Sequence, residues 1–268
     1  VISVLAEKLV NKGYEVTICS YPLKNKVEYC HAAKVKYVKF DMRYQRGIFY
    51  KIERIIRLRR EIKKHKYATV ISFEYFMNMQ TVVAMLGLHN RLIVSERNDP
   101  ARVGGKTPTK QLRNFFYGFA DCLVCQTQDA LEYFPKKIQK KSVVIMNPIK
   151  DNLPEPWQGK RKKQIVNFCR LEKQKNLPLL IDAFEKFYQV HSDYTLMIYG
   201  DGRERDNLIK YIKEKGLEAT ITLHPAVENV HELIKDTMMF VSSSDYEGLS
   251  NSMIEAMAIG LPTICTDC

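Results

Sequence analysis

The stretch FVSSSDYEGLSNSMIEAMAIGLPTICTD, from Phe240 to Asp267, has the order strand, loop, helix and strand. An apolar run ends at its start, and the small polar residues that follow are typical of a loop at the carboxyl end of a strand. Ser250 or Asn251 is suited to cap the helix. Gly260 then ends the helix, and Pro262 prevents its continuation. The pattern predicts an α/β domain with a ligand-binding loop at this position.

Two carboxylates flank the start of the predicted helix. Glu247 lies in the loop, and Glu255 lies about one turn into the helix, whose apolar residues Ile254, Met257 and Ala258 fall three and four positions apart. In an open α/β sheet, ligands bind beyond the carboxyl ends of the strands, where helix amino termini present free N–H groups to anions. We therefore expect both glutamates to hold the neutral, hydroxyl-rich parts of a ligand whose phosphates face those amides.

The spacing of the two glutamates resembles a known signature. Seven residues separate Glu247 from Glu255 within E-G-L-S-N-S-M-I-E-A-M-A-I-G-L-P, which is similar to the E-x7-E motif of the family-4 (group 1) glycosyltransferases. The resemblance implies the GT-B fold, an α/β architecture in which two Rossmann-like parallel-sheet domains face each other across a cleft. It also implies a chain that is longer at both ends than these residues.

Length and composition are those of a globular protein with one large or two ordinary domains. The 268 residues are 46% hydrophobic and 27% charged, and no apolar run approaches the roughly 20 residues that span a bilayer. The net charge of +12 favours an anionic partner such as a nucleotide, a nucleic acid or an acidic membrane. Seven scattered cysteines and the absence of a signal peptide indicate free thiols in the cytoplasm.

Strands and helices alternate in two series, which predicts parallel sheets built from βαβ units. A proline- and charge-rich segment without periodicity, DNLPEPWQGKRKK, separates the two series. We predict a Rossmann-like domain over residues 1–150, a linker over 151–163 and a second Rossmann-like domain over 164–268.

Two cations follow the first strand of the second series. Arg170 and Lys175 belong to F-C-R-L-E-K-Q-K, residues 168–175, which resembles the segment in which the family clamps the diphosphate of the sugar donor. A guanidinium and an ammonium stabilise the charge that develops on a leaving nucleoside diphosphate. Gly200 and Gly202 resemble the family's G-x-G turn, in which glycines allow the backbone to approach the donor.

The resemblance assigns further roles at the donor site. Glu247 would contact the transferred sugar and act with Arg170 and Lys175 in catalysis, while Glu255 would accept hydrogen bonds from the ribose. Family members retain the anomeric configuration, and a uridine diphosphate sugar is the expected donor. No metal cofactor is expected, since the chain has no D-x-D motif and its histidines lack metal-ligand spacing. The remaining expected donor contacts are Gly248, Leu249 and Ser250 through their amides, and Val227 beside the base.

A polar run, Ser95-Glu96-Arg97-Asn98, follows a strand of the first series. It resembles the S-E-R-N branch of the family, in which this loop faces the acceptor. Many relatives carry a histidine here and this chain does not, so Glu96, Arg97 and Asn98 are the candidate acceptor-side residues. The acceptor implied is a glycan or a polyprenyl-diphosphate-linked glycan of bacterial surface polysaccharide assembly.

The segment Lys34–Lys66 is strongly basic and contains a long amphipathic helix. One interpretation is a helix packed on the core with a solvated basic side. The other is a cationic face that holds the domain to anionic lipid at the inner face of the plasma membrane. The predicted apolar face comprises Ile48, Ile52, Ile55, Ile56 and Ile62.

Two other functions compete with glycosyl transfer. A sugar-nucleotide epimerase on the same two-domain frame would bind a nucleotide sugar without an acceptor. A non-enzymatic nucleic-acid-binding module would show aromatic residues interleaved with a basic stripe and would not depend on Glu247 or Glu255. We find no such interleaving beyond Lys34–Lys66, so no nucleic-acid partner is expected.

Overall fold

The computed structural model describes residues 1–21, 34–104, 107–149 and 152–268. The chain divides into two compact units, Val1–Pro148 and Ile149–Cys268. Cys30 and His31 lie outside the described residues, as do residues 150 and 151, between which the domain boundary was predicted.

Helices and parallel strands alternate in the first unit, as predicted. Gly13 follows the first helix with a φ of +86°, a backbone conformation that glycine adopts without strain. The helices are α1 (Ile2–Asn11), α2 (Gly47–His65), α3 (Tyr75–Met85), α4 (Thr107–Tyr117), α5 (Gln128–Glu132) and α6 (Lys136–Gln139). The strands are β1 (Thr17–Ser20), β2 (Lys36–Lys39), β3 (Thr69–Phe73), β4 (Arg91–Ser95), β5 (Cys122–Cys125) and β6 (Ser142–Val144).

Two parallel sheets form the frame of the first unit. Strand β1 pairs with β2, and a four-stranded sheet has the order β3-β4-β5-β6. Leu92 and Val94 of β4 and Leu123 of β5 lie in one buried cluster with Leu58 and Ile62 of α2. Because successive strand residues point to opposite faces, these side chains fix the sheet face on which α2 packs. Cys122 and Cys125 are free thiols, and their three-residue offset separates them across the strand.

The second unit repeats the alternation around one five-stranded parallel sheet. Its helices are α7 (Leu177–Tyr188), α8 (Arg205–Glu214), α9 (Val230–Ile234) and α10 (Asn251–Ala258), with a short 3-10 turn at Lys173–Lys175. Its strands are β7 (Lys162–Phe168), β8 (Thr195–Tyr199), β9 (Ile221–His224), β10 (Thr237–Ser242) and β11 (Thr263–Cys265).

The strand order of this sheet is β11-β10-β7-β8-β9. The chain runs outward from β7 through β8 to β9, and then returns to the other side of β7 with β10 and β11. The direction reverses between β7 and β10, and the carboxyl ends beside such a reversal are where open α/β sheets bind ligands. Buried apolar clusters cover the sheet on both sides, one with α7 and α8 and the other with α9 and α10.

Residues 152–161 carry no regular secondary structure but pack on the second unit. Leu153 joins the cluster around Phe240. The Arg161 guanidinium donates to the carbonyl oxygens of Lys235, Thr237 and Gly260 at 2.8 to 3.1 Å. The indole of Trp157 donates to the Lys160 carbonyl at 3.3 Å. These contacts attach the segment to the sheet that follows it.

Two helices bury only part of the apolar residues that the sequence marks on them. In α10, Ala256 is buried, as is Ile259 directly after the helix, whereas Met257 is 59% exposed. Apolar residues occur all round this helix, and their spacing therefore does not single out the buried side. In α2, Ile62 of the predicted apolar face is buried and Ile55 packs against the core, whereas Ile48, Ile52 and Ile56 of that face are exposed. Leu58, which was not predicted, is buried.

Candidate active site

The loop after β7 carries the two predicted donor-binding cations. Arg170 is exposed, and within the described residues its guanidinium has no hydrogen-bond or ion-pair partner. Lys175 ends the 3-10 turn, with its side chain 13% exposed. Leu171 between them is fully buried and anchors the loop in the core. Cys169 lies at the end of β7, where burial raises the pKa of its thiol to about 12, so it stays protonated.

Gly200 and Gly202 are glycines because this loop packs against them. A Cβ at Gly200 would lie 2.0 Å from the carbonyl oxygen of Cys169, and one at Gly202 would lie 2.2 Å from that of Leu171. The Leu171 amide donates to the Asp201 carbonyl at 2.9 Å. The glycines therefore allow two loops of the protein to approach each other, which fixes the backbone beside Arg170.

Glu247 lies in the loop after β10 and is held by three side chains. Lys175 forms an ion pair with it through Nζ and Oε1. The Ser244 hydroxyl donates to Oε1 at 2.7 Å, and Gln174 Nε2 lies 3.4 Å from Oε2. The structure thus joins the loops after β7 and β10 through Lys175 and Glu247, two of the three residues that the sequence predicted as catalytic.

The amino terminus of α10 follows directly after Glu247. Ser250 is the N-cap, and its hydroxyl accepts a hydrogen bond from the Met253 amide. Gly248 and Leu249 connect this cap to Glu247. The first amides of a helix lack partners within the helix and carry partial positive charge, so a phosphate group is stabilised at this position.

Glu255 lies on the second turn of α10 and pairs with a buried histidine. His231 Nε2 is 2.8 Å from Glu255 Oε2. The His231 side chain is 6% exposed and that of Glu255 is 13% exposed. Phe168, the last residue of β7, meets the His231 ring edge-on with centroids 5.4 Å apart.

The loops after β8 and β9 are joined by Arg205. Its guanidinium donates to the carbonyl oxygens of Gly200, Leu223 and His224 at 3.1 to 3.2 Å. Val227, predicted to lie beside the base of the donor, is exposed on the loop that follows β9. The neighbouring Ala226 amide donates to Asp201 Oδ2 at 3.0 Å, so this loop is tied to the glycine turn.

The acceptor-side candidates lie at the carboxyl end of β4 in the first unit. Glu96 is 2% exposed, and its carboxylate accepts a hydrogen bond from the Tyr117 hydroxyl at 3.0 Å. Asn78 Nδ2 donates in turn to Tyr117 Oη at 3.0 Å. Burial raises the pKa of Glu96 to about 7, although the Arg113 guanidinium opposes this shift.

The neighbours of Glu96 differ in their surroundings. Arg97 is half-buried, and its Nη2 has no hydrogen-bond partner within the described residues. Asn98 Oδ1 accepts a hydrogen bond from the Asp99 amide at 3.0 Å. Glu74 ends the adjacent strand β3 with a φ of +78°, and burial raises the pKa of its carboxyl. Two carboxyl groups with raised pKa values therefore follow neighbouring strands.

Every predicted donor-site residue lies in the second unit, where Lys175 and Glu247 are in direct contact, whereas Glu96, Arg97 and Asn98 belong to the first unit. Sequence reasoning missed Gln174, Arg205, His231 and Ser244. The Ser242–Ser244 run was a usable signal, since small polar residues directly after a strand supply hydroxyl donors. The other three are single polar residues on helices or turns, and no motif marks them.

Two searches of the described residues gave no candidate. No group of three or more histidine, cysteine, aspartate and glutamate side chains among them has an arrangement that would hold a metal ion. No helix within the described ranges has the length and apolar character needed to cross a membrane.

Comparison with known proteins identifies relatives of both units. The chain is 24% identical over 282 residues to the amylovoran biosynthesis glycosyltransferase AmsD of Erwinia amylovora, covering 100% of this chain and 76% of AmsD. It is 26% identical over 257 residues to the Campylobacter jejuni α-1,4-N-acetyl-D-galactosaminyltransferase named for a GalNAc-containing diphospho-undecaprenol glycan, covering 92% of this chain and 69% of that protein. This chain is also 30% identical over 168 residues to another curated relative, and the match covers only 41% of that protein's length.

A solved structure shows the same fold. The Anabaena protein HepE in complex with UDP and glucose superposes with a TM-score of 0.74 at 16% identity, over 88% of this chain and 68% of HepE. Such a likeness places the two Rossmann-like units in the GT-B fold class, as predicted.

Two family models match the chain along nearly its whole length. The model described as Glycosyltransferase Family 4 matches residues 1–153, and the model described as Glycosyl transferases group 1 matches residues 150–268. The chain therefore belongs to the family-4, group 1 glycosyltransferases.

Proposed function

We propose that this protein transfers a sugar from a UDP-sugar donor, with retention of anomeric configuration, to a glycan or polyprenyl-diphosphate-linked glycan in bacterial surface polysaccharide assembly. The epimerase and nucleic-acid-binding alternatives have no structural observation in their favour. The names of AmsD and the C. jejuni enzyme, which refer to a polysaccharide and to an undecaprenol-linked glycan, support the acceptor class.

The observation that carries the proposal is the junction of Lys175 with Glu247 beside Arg170. Lys175 and Glu247 form an ion pair where the sheet reverses direction, Arg170 lies on the same loop as Lys175, and the amino terminus of α10 follows directly after Glu247. A departing diphosphate gains negative charge as the glycosidic bond breaks. A guanidinium, an ammonium and helix amides can stabilise that charge without a metal ion, and we accordingly propose that the reaction needs none.

We propose that the two glutamates bind different parts of the donor. Glu247, held in position by Lys175, Ser244 and Gln174, is an acceptor for the hydroxyls of the transferred sugar. Glu255 is an acceptor for the ribose hydroxyls. The HepE structure contains UDP and glucose, and this supports UDP as the nucleotide.

The acceptor side is proposed at Glu96, Arg97 and Asn98. The buried Glu96 organises this loop through Tyr117 and Asn78, and Arg97 and Asn98 lie next to it. With a pKa of about 7, the Glu96 carboxyl exchanges its proton near neutral pH, which suits a group that takes part in proton transfer.

Binding of UDP, GDP, ADP, NAD and a short RNA to the whole chain, in EDTA and then in magnesium, tests this proposal. We expect UDP to bind equally well in both buffers, and Arg170→Ala and Glu255→Ala each to weaken binding about 10-fold or more, as for the loss of a buried or charge-assisted hydrogen bond. Lys186→Ala, which removes a cation from α7, is the control. RNA binding that exceeds UDP binding and survives both variants would refute the proposal.

We further propose that α2 attaches the first unit to anionic membrane lipid. Phe49, Ile52, Ile56, Arg60 and Lys63 recur at intervals of three and four residues and are all exposed, so they share one face of the helix. That face is apolar in its first half and cationic in its second half. Apolar side chains enter the lipid interface while cations contact anionic headgroups.

The choice of variant follows from the contacts of the cations on α2. Arg57 pairs with Glu53, and Arg59 donates to the carbonyl oxygens of Ala84 and Leu86, so these two arginines hold the fold together. The exposed cations to replace by glutamine are Arg60, Lys63 and Lys64.

Flotation with phosphatidylcholine vesicles, with and without phosphatidylglycerol, measures this attachment. We expect the triple variant to lose on the order of 10-fold or more in binding to the anionic vesicles, because each cation near the surface contributes about 1 kcal/mol. A variant with Lys136, Lys137 and Lys140 of α6 and its flanking residue replaced by glutamine changes the net charge equally and serves as the control. Equal flotation of wild type and the α2 variant would contradict the proposal.

A further inference from the structure

The pair formed by His231 and Glu255 contains a buried histidine that no sequence motif marks. His231 lies on α9, is 5% exposed and packs against Phe168. Its Nε2 is 2.8 Å from Glu255 Oε2, which is the distance of a charge-assisted hydrogen bond. The Glu255 carboxylate, which the proposed function assigns to the ribose, is thus hydrogen-bonded to the buried side chain of His231.

The chemistry of the two groups fixes the position of the proton. An ionised carboxylate only accepts hydrogen bonds, so the imidazole must carry a hydrogen on Nε2 to form this contact. The bond holds Glu255 Oε2 inside the protein. Glu255 Oε1 has no donor within the described residues, and the side chain keeps 13% of its surface exposed. One oxygen is therefore held by the protein, and the other is available to a ligand.

The surrounding side chains leave His231 little freedom to move. The ring meets Phe168 edge-on, and only 6% of the His231 side chain is exposed. A pair of apolar side chains would fill such a space without the cost of burying polar atoms. Among the described residues, the His231 ring forms a hydrogen bond only with Glu255, which lies at the ligand-binding edge of the sheet, and this contact points to a role beyond filling space.

We propose that His231 is a positioning residue for the donor, which orients Glu255 so that Oε1 accepts the ribose hydroxyls of the nucleotide. The inference rests on the proposed function, since it requires a nucleoside diphosphate at this site. His231 does not touch the ligand. It determines how strongly the protein distinguishes a ribose from a sugar without those hydroxyls.

The ratio of two dissociation constants measures this role. We expect the wild type to bind UDP at least about 10-fold more tightly than 2′,3′-dideoxy-UDP, the equivalent of about 1.4 kcal/mol. His231→Phe keeps the ring and removes the donor, so its ratio should fall below about 3-fold while its affinity for the dideoxy nucleotide changes less than about 2-fold. His231→Gln carries an N–H donor on its amide and should restore most of the ratio. His191→Phe, at an exposed position after α7, should leave it unchanged.

The outcomes separate the inference from the proposed function. A wild type that binds no UDP would refute both. A wild type that binds both nucleotides equally would refute the ribose contact of Glu255 and with it the positioning role, and would leave UDP as the donor nucleotide. A wild-type preference that persists in His231→Phe, or an equal loss of both nucleotides, would refute the positioning role alone, since an equal loss indicates general damage to the fold.

If the His231→Phe variant does not fold, a measurement on the wild type still tests the proposal. In ¹⁵N-histidine spectra, assigned with His231→Gln, we expect His231 to carry its hydrogen on Nε2 and its resonance to shift with UDP more than with the dideoxy nucleotide. A hydrogen on Nδ1 alone would refute the proposal.

Discussion

Glu96 is a carboxyl group with almost no access to water, and its charge state depends on this burial and on two neighbouring side chains. Burial disfavours the ionised form, whereas the Arg113 guanidinium and the Tyr117 hydroxyl favour it. Burial wins, and the pKa rises to about 7. The folded protein therefore binds a proton at Glu96 that the unfolded chain releases near pH 4.5.

This difference predicts a pH-dependent stability. Since the folded pKa is raised, Glu96 lowers the free energy of unfolding progressively as the pH rises from about 4.5 to about 7, by roughly 3 kcal/mol in total. Glu96→Gln keeps an acceptor for Tyr117 and removes the charge. We expect the stability of the variant relative to wild type to rise by about that amount between pH 5 and pH 8.

Hydrogen exchange of the β4 amides, compared between variant and wild type at each pH, measures the effect because intrinsic exchange rates cancel. Glu132→Gln, on the exposed surface of α5, is the control and should show no such trend. A constant difference between Glu96→Gln and wild type across this range would mean that Glu96 ionises at an ordinary pH.

Single residues show where sequence reasoning succeeds and where it stops. Glu247, Lys175 and Ser250 were predicted together because spacing along the chain specifies which loop each one occupies. His231 pairs with a residue 24 positions away, and the burial of Glu96 depends on Tyr117 and Asn78 from two helices. Such contacts arise only when the chain folds, and no local pattern encodes them.

At the scale of elements, the glycine turn after β8 fixes the loop after β7. The sequence predicted both loops and assigned the glycines to contact with the donor, whereas the structure gives them a packing role against Cys169 and Leu171. Helix and strand order followed from hydrophobic periodicity. The buried sides of α2 and α10 did not, because both helices carry apolar residues on more than one face.

Gly202→Ala tests the packing of these loops. The new Cβ would lie 2.2 Å from the Leu171 oxygen and 2.8 Å from its nitrogen, and backbone atoms have no room to move away. We expect a loss of about 1–3 kcal/mol in the stability of the second unit, together with weaker UDP binding as Arg170 is displaced.

Chemical denaturation and UDP titration together give both quantities. Gly216→Ala is the matched control, because its φ of +66° is strained for alanine but no atom lies within 4 Å of the new Cβ. It should cost about 1 kcal/mol and leave UDP affinity unchanged. Equal effects of the two substitutions would show that the loops do not need this close approach.

At the scale of the whole molecule, the chain consists of two units with separate cores. The buried cluster of the first unit contains no residue beyond Ile138, and the two clusters of the second unit contain none before Leu153. The proposed donor site draws on residues 170–255 alone. We therefore expect donor binding to be a property of one unit.

A fragment of residues 149–268 should therefore fold and bind UDP with an affinity within about threefold of that of the whole chain. Its own clusters bury their apolar side chains without help from the first unit, and burial of apolar area is the main source of stability. Isothermal titration of fragment and whole chain makes the comparison. A fragment with native circular dichroism that does not bind UDP would show that the first unit contributes to the donor site.

The position of the only tryptophan in the sequence has an optical consequence. Trp157 packs against Gly159 in the segment attached to the second unit, and no tryptophan exists in the first. Tryptophan fluorescence, excited at long wavelength, therefore follows the unfolding of the second unit, whereas far-ultraviolet circular dichroism follows the unfolding of both units. Thermal unfolding recorded with both signals therefore tests whether the two units unfold cooperatively. Superimposed curves mean that the units melt together, and separated curves mean that each melts independently.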